Sequence, residues 1–379
     1  MSTLAIISHT EHYITSDGQI LGLSSTVSEI NHLLEIFDHI YHLGMLHDKE
    51  PPPNTLAYAS DNITFIPLPA LGGSRFLDKL GVITKAPMVI NEVRKVLRLV
   101  DHFQFRAPTG IGVYVIPYLM LFQSKSGWYK YAGNWKQEHA PLAYKIQRWL
   151  LQRQKRIVTI NGNWNDQPKH CISFENPCLT TSELQEGARV IQNKALDDGK
   201  FHLCFVGRLE EAKGIGNLLT ALDMLTNKDQ SKVILLHVIG DSTERSYYET
   251  KAKHLKVAVQ FYGLINRKNV HELYKKCHAI VLPSASEGFP KVISEAMNYG
   301  CLPVVSNVSS ISEYVKDGKN GFLCHPTELE SLVVTLQRLL GQTNDDYREM
   351  INSSETRIER FSYSYYNKRI KSDVLKIEL

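Results

Sequence analysis

Two stretches of the chain place cations, carboxylates and glycines at spacings that could do chemistry on an anionic, hydroxyl-rich ligand. In VGRLEEAKGIGNLL an apolar run ends at Gly207 and Arg208, a short loop carries Lys213 and Gly214, and a helical pattern begins near Ile215. Backbone N–H groups and the dipole at such a helix start favour an anion. Arg208 and Lys213 would add full charges suited to a diphosphate. A solvated loop with ordinary cations is the alternative. In SEGFPKVISEAMNYG, Glu287 follows the apolar run AIVLPS, Pro290 suits a first helical turn, and Glu295 falls in the second turn. Carboxylates accept hydrogen bonds, so sugar and ribose hydroxyls are natural partners. The amides of Gly288 and Phe289 precede the helix start, where an anion or hydroxyl can bind. Here the alternative is that Glu287 caps the helix and Glu295 makes a surface salt bridge.

The elements that must hold these residues alternate cleanly in the C-terminal part. FHLCFVGRL, KVILLHVIGD, VQFYG, AIVLPS, LPVVSN and GFLC read as strands, with amphipathic helical patterns between them and LESLVVTLQRLLG closing the series. Near-continuous apolar strands separated by helices predict a parallel sheet buried on both faces. Such sheets bind ligands at the carboxyl ends of their strands. Before them, Thr180 to Lys200 reads as a polar connector with room for a short helix, and the domain boundary is placed near Pro177.

The N-terminal part opens on the strand LAIIS, with His9 and His12 just beyond it and a loop containing Gly18 and Gly22. Ile30, Leu33, Leu34, Phe37 and Tyr41 recur at helical spacing, which predicts a helix from Ser24 stopped by Gly44. KAPMVINEVRKVLRLV reads as a helix, VDHFQFRAP as a strand, and residues 111–124 as helical despite Gly112 and Pro117. RIVTING and HCISFENP read as strands. The last stretch, YSYYNKRIKSDVLKIEL, is helical and has no obvious place in the C-terminal sheet.

The length of 379 residues predicts two domains. A net charge of +4 is too mild to argue for a nucleic-acid partner. Between Lys125 and Arg156, however, eight Lys/Arg face one acid, Glu138, with Trp128, Tyr129, Tyr131, Trp135 and Trp149 interleaved. That segment reads first as a solvated helical face. Resting on an anionic membrane surface and stacking on nucleic acid are the other readings. The six cysteines are scattered without a Cys-x-x-Cys, as reduced thiols in a cytoplasmic protein are. No signal peptide or apolar run of spanning length is read from the sequence.

GRLxxxKG after one strand, EGFPKVISEAMNYG after the fourth strand of the series, then PVVSN and GFLC, together resemble the donor domain of retaining glycosyltransferase family four. The resemblance covers roughly Phe201 to Leu340, and the N-terminal half shares only its strand–glycine loop–helix opening. It implies an α/β chain of GT-B architecture, with two Rossmann-like domains facing across a cleft. By that likeness residues 1–178 form the acceptor-side domain, joined by a C-terminal helix (361–379) that crosses back, and 179–360 bind the donor.

The same likeness implies roles for single residues. Arg208 and Lys213, after Gly207, would hold the donor diphosphate. Glu287 would contact sugar hydroxyls, helped by the backbone of Gly288, Phe289 and Pro290. Glu295 would bind the ribose, and the loop from Gly263 to Asn266 would lie near the base. UDP is the expected nucleotide and a hexose or N-acetylhexosamine the expected sugar. The acceptor is expected to be a glycan or lipid-linked glycan of cell-surface polysaccharide. No cofactor is implied, and with no Asp-x-Asp in the chain metal independence is expected. Same-face attack with help from the diphosphate would need no protein nucleophile. On the acceptor side Gly22, His9 and Arg106 are the candidates; many relatives carry a histidine where this chain has Arg106, with His102 four residues earlier. The expected site of action is the cytoplasm, with attachment to the inner face of the plasma membrane through 125–156. A GT-B sugar phosphorylase, an epimerase, or a non-catalytic nucleotide- or glycan-binding subunit remain alternatives.

Overall fold

The structure is a computed structural model that describes residues 2–72, 81–353 and 358–377. It divides into two units, Met1–Asn176 with Tyr363–Leu379, and Pro177–Ser362.

The first domain is built around a mostly parallel sheet. Its strands are β1 (Thr3–Ile14), β2 (Ile20–Leu23), β3 (His39–His47), β4 (Thr55–Ala57), β5 (Ile63–Pro69), β6 (His102–Ala107), β7 (Ser126–Tyr131), β8 (Val158–Ile160) and β9 (Cys171–Ser173). Parallel pairing runs in the order β5-β3-β1-β6-β7-β8-β9, while the far end of β1 pairs antiparallel with β2 and β2 with β4. Among the described residues the helices α1 (Ser24–Leu33), α2 (Ala86–Leu97), α3 (Gly112–Phe122) and α4 (Leu142–Arg153) belong here. Val89, Val93 and Val96 of α2, Val115, Ile116 and Leu119 of α3 and Leu151 of α4 bury one face of the sheet.

Three expectations are corrected here. The first helix stops at Leu33 and does not reach Tyr41. Tyr41 lies in β3, opposite Ala5 of β1 and Thr64 of β5. A strand buried on both faces is a near-continuous apolar run, and such a run also satisfies helical spacing. The segment 125–156 is not one solvated helical face, because Trp128, Tyr129, Lys130 and Tyr131 form the buried strand β7. The polar connector after Thr180 carries more than a short helix: α5 (Thr181–Asn193) has 13 residues and starts at a capping box between Thr180 and Glu183.

The second domain alternates strictly. β10 (Phe201–Val206) leads to α6 (Ile215–Met224), β11 (Val233–Ile239) to α7 (Arg245–Ala252), β12 (Val259–Gly263) to α8 (Arg267–Lys276) and β13 (Ala279–Leu282) to α9 (Lys291–Asn298). β14 (Leu302–Ser306), β15 (Phe322–Cys324) and α10 (Leu329–Leu340) follow. All its strands are parallel, in the order β12-β11-β10-β13-β14-β15. After this domain the chain returns to the first one as α11 (Tyr363–Arg369). There Tyr363 stacks on His32 with ring centroids 3.9 Å apart, and Asn367 Nδ2 donates to the His32 carbonyl at 2.7 Å.

Candidate functional site

In the second domain the strand order reverses between β10 and β13, because the connections run outward from these two neighbours in opposite directions. Loops leaving adjacent strands at such a point diverge and leave a crevice beyond the carboxyl ends. The two loops are Gly207–Gly214 and Pro283–Pro290, which carry both motifs singled out above. They are tied together, with Ala285 N–H donating to the Ala212 carbonyl at 3.0 Å. Gly214 has φ +79°, and a Cβ there would lie 2.3 Å from the Pro283 carbonyl oxygen. Only glycine lets the loops approach this closely. Beside them, a Cβ on Gly240 would fall 1.8 Å from the Gly207 carbonyl oxygen. Gly240 N–H in turn donates to the Gly263 carbonyl at 2.9 Å, so the ends of β10, β11 and β12 are drawn together.

Lys213 Nζ donates to Glu287 Oε1 at 2.5 Å, joining the two motifs directly. The lysine side chain is 27% exposed and the glutamate 11%. Arg208 is 75% exposed and pairs with Glu210 at 2.9 Å. A pair this open contributes about 0–1 kcal/mol, so an arriving anion can redirect the guanidinium at little cost. Each cation of the loop thus has a carboxylate partner. Phe289 sinks its ring between Tyr314 and Phe361, with centroids at 4.8 and 4.9 Å. That anchors the loop and fixes the backbone of Gly288, whose carbonyl accepts from Ser310 Oγ at 3.3 Å. Pro290 occupies the N-cap position, immediately before α9 begins at Lys291.

Glu295, on α9, does not join the Lys213–Glu287 pair. Its carboxylate accepts from Arg267 Nε at 3.4 Å. Arg267, the first residue of α8, also pairs with Glu183 and donates to the Cys178 carbonyl. Sequence reasoning missed Arg267, although it directly follows the Gly263–Asn266 loop. The available signal was the Thr180-x-x-Glu183 capping box, which fixes where α5 starts and therefore where the Glu183 carboxylate stands. Burial raises the affinity of Glu183 for a proton, but the Arg267 bonds outweigh it and hold the carboxyl below its ordinary range.

The first domain reverses its strand order at the equivalent place, between β1 and β6. His9 lies there. Its ring is close enough that a Cβ on Gly72 would lie 3.2 Å from His9 Cε1, and one on Gly110 3.5 Å from it. His9 Nε2 is buried with no hydrogen-bond partner among the described residues. Burial lowers the His9 pKa, more than its bond with the Leu71 backbone raises it, so the ring is neutral near pH 7. Gly22 sits on β2, where a Cβ would lie 2.5 Å from His12 Nε2, so glycine is what admits the His12 ring. That ring belongs to a buried chain: His12 Nε2 to Tyr58 Oη at 2.8 Å, Tyr58 Oη to His42 Nδ1 at 2.6 Å, and His42 Nε2 to Ser8 Oγ at 2.8 Å.

Arg106 is turned into the domain. It donates to Glu29 Oε1 at 2.8 Å and to Gln104 Oε1 at 2.8 Å, and its side chain is 13% exposed. Lys130 Nζ shares the same Glu29 oxygen at 2.6 Å. The Nε and Nη2 donors of Arg106 are thus engaged inside the domain.

Among the described residues no group of three or more His, Cys, Asp or Glu could hold a metal ion. Among them, too, no helix is long and apolar enough to cross a membrane.

The family model described as "Glycosyl transferases group 1" matches residues 188–357. An uncharacterized glycosyltransferase of Methanocaldococcus jannaschii is 33% identical over 216 residues, covering 55% of this chain and 54% of that protein. The chain spans about half the length of the curated relatives it matches. Among solved structures, Anabaena HepE in complex with UDP aligns over 100% of both chains at 17% identity with a TM-score of 0.68. Sucrose-phosphate synthase from Thermosynechococcus elongatus aligns over 98% of both at 15% identity and a TM-score of 0.73. The fold is therefore GT-B, two Rossmann-like α/β domains. Arg208, Lys213, Glu287 and Glu295 all fall inside the family match, while His9, Gly22 and Arg106 fall outside it.

Proposed function

We propose that the chain is a retaining glycosyltransferase that moves a sugar from a nucleotide-sugar donor, UDP-linked, to a glycan or lipid-linked acceptor of a cell-surface polysaccharide. The observation that carries the reading is the Lys213–Glu287 pair at the strand-order reversal of the second domain. Transfer from a nucleotide sugar builds negative charge on the departing diphosphate and positive charge on the anomeric carbon. Lys213 and Arg208 stabilise the first where it develops, which is the usual source of the largest electrostatic effect. Glu287, steadied by the Lys213 ammonium, accepts hydrogen bonds from the donor sugar. A carboxylate held by an ammonium is poorly placed as a nucleophile, which favours orientation over covalent catalysis and supports same-face attack assisted by the diphosphate.

Glu295, held by Arg267, would accept the ribose hydroxyls in this reading. On the acceptor side, neutral His9 at the first domain's own strand-order reversal has an unshared ring nitrogen for a hydroxyl. The match of residues 188–357 to glycosyl transferases group 1 supports the donor half of this reading. That a solved GT-B structure of the same fold holds UDP supports the nucleotide.

Calorimetric titration with nucleoside diphosphates tests it. UDP should bind the wild-type chain. Glu287→Ala should retain UDP binding and lose sugar transfer, with retention of anomeric configuration in the wild-type product read by NMR. Absence of binding by any nucleotide would end the reading.

A further inference from the structure

We infer that the outer face of α4, together with the end of α3, is a docking surface for an anionic lipid bilayer. The residues of α4 segregate sharply. Gln147 and Leu151 are buried, and Arg148 turns inward to donate to the carbonyls of Trp135 and Gln137 at 2.7 Å each. Leu142, Ile146 and Trp149 recur at i, i+4 and i+7 on the opposite side, 73%, 42% and 53% exposed. That spacing makes one continuous stripe along a helix. Lys145 and Arg153 flank it, the Arg153 guanidinium lying 4.6 Å from the Trp149 ring centroid, and Lys155 follows just past the helix. No acidic residue occurs anywhere in α4.

The end of α3 joins this surface. Arg156, just after α4, donates to the carbonyls of Leu119 and Gln123, which brings the carboxyl ends of the two helices together. There Leu121 and Phe122 are each 74% exposed, and α3 carries no charge of either sign.

Charge and shape select the occupant. A row of exposed aliphatic side chains and one tryptophan, edged by cations and free of acids along the helix, matches an interface whose headgroups are negative and whose acyl region begins a few ångströms below. Long basic side chains lay their stems on apolar surface while the charge reaches the headgroups, and tryptophan settles at the boundary. The structure also trims the sequence-level reading of 125–156. Trp128, Tyr129, Lys130 and Trp135 are interior residues and take no part. Leu121 and Phe122, outside that segment, do.

Sedimentation with phosphatidylcholine vesicles, with and without phosphatidylglycerol, tests the inference on the full chain and needs no nucleotide, so it stands or falls apart from the donor site. The wild-type chain should bind the phosphatidylglycerol vesicles and lose binding in high salt. Reversing three cations together (Lys145→Glu, Arg153→Glu, Lys155→Glu) should weaken binding at least about fiftyfold. Trp149→Ser with Leu142→Ser should weaken it about tenfold. Both variants should keep the wild-type circular dichroism, since every altered side chain is exposed. Val334→Ser, on an exposed face of the second domain, should bind as wild type. Equal binding to both vesicle types, wild-type binding by either multiple variant, or loss in Val334→Ser would overturn the inference. So would a wild-type dimer that ignores vesicles and dissociates on Trp149→Ser, which would make this face a contact between copies of the chain.

Discussion

The two domains share one strand order and use it differently. In the second, the reversal between β10 and β13 sets its charged groups at loop tips, with Arg208 mostly exposed and Lys213 half-buried against Glu287. In the first, the charged groups near the reversal between β1 and β6 are drawn inside: Glu29 is shared by Arg106 and Lys130, and a His12–Tyr58–His42–Ser8 chain lies under the sheet. Among the described residues there, His9 keeps an unshared ring nitrogen. The lesson is that similar topology does not fix where polarity goes. Loop-borne charges can meet a ligand, whereas charges carried on the strands and helices of the core hold the domain together and set its response to pH.

The comparison breaks most visibly at Glu29. Removing it by Glu29→Ala leaves two cations side by side in a buried site, and the expected cost is about 3–5 kcal/mol, read as a lower urea midpoint. A change under ~1 kcal/mol would mean that the triad contributes little to the first domain. The matching cut in the second domain is Lys213→Ala. It should spare stability but lower the transfer rate about 10²–10³-fold, the usual loss when one donor to developing charge is deleted. Steady-state assay of UDP release checks it, and unaltered turnover would remove Lys213 from the site.

The same contrast explains what the sequence disclosed. The second domain was legible because its strands are short apolar runs bounded by glycine and proline, and because its chemistry sits in contiguous loops such as Arg208–Lys213 and Glu287–Pro290. The first domain was less so. β3 passed for helix because both its faces are buried, and Trp128 and Tyr129 passed for surface because cations neighbour them in sequence. The pairing of Glu29 with Lys130 spans 101 positions and has no local signature. Arg267 escaped for the same reason: its partners Glu183 and Glu295 come from two other helices.

Acid sharpens the comparison with a smaller effect. Burial is the main cause that lowers the pKa of His12 to about 4 in the first domain, and of His237 and His278 to about 4 in the second. His42 is also lowered, chiefly by burial and then by His12. Each ring takes up a proton more readily in the unfolded chain, whose imidazole titrates near its ordinary value. The unfolded state therefore binds more protons between the two values, and stability rises with pH across that window. Stability should be fully present near neutrality and fall from about pH 6.5 toward pH 4, by on the order of 3 kcal/mol for a ring as enclosed as His12. Urea midpoints measured across that range check it. His12→Asn should flatten the slope and His237→Asn should do so separately, since the two rings sit in different domains. A flat profile in the wild-type chain would show that these imidazoles are not held neutral by burial.

The finest distinction lies within one loop. Arg208 and Glu210 form an open ion pair, so Glu210→Ala should change the melting temperature by less than about a degree or two, consistent with a surface pair worth ~0–1 kcal/mol. Arg208→Ala should be equally silent in stability yet weaken UDP binding about tenfold, as the loss of one charge-assisted contact to a phosphate does. Glu210→Ala should then tighten UDP slightly, because it frees the guanidinium from the Glu210 carboxylate. The signs are opposite for two halves of one salt bridge, as expected of an anionic ligand that draws Arg208 away from Glu210. If both variants weaken UDP, the pair itself shapes the loop. If neither has an effect, Arg208 is a solvated cation and the diphosphate rests on Lys213 and the backbone alone.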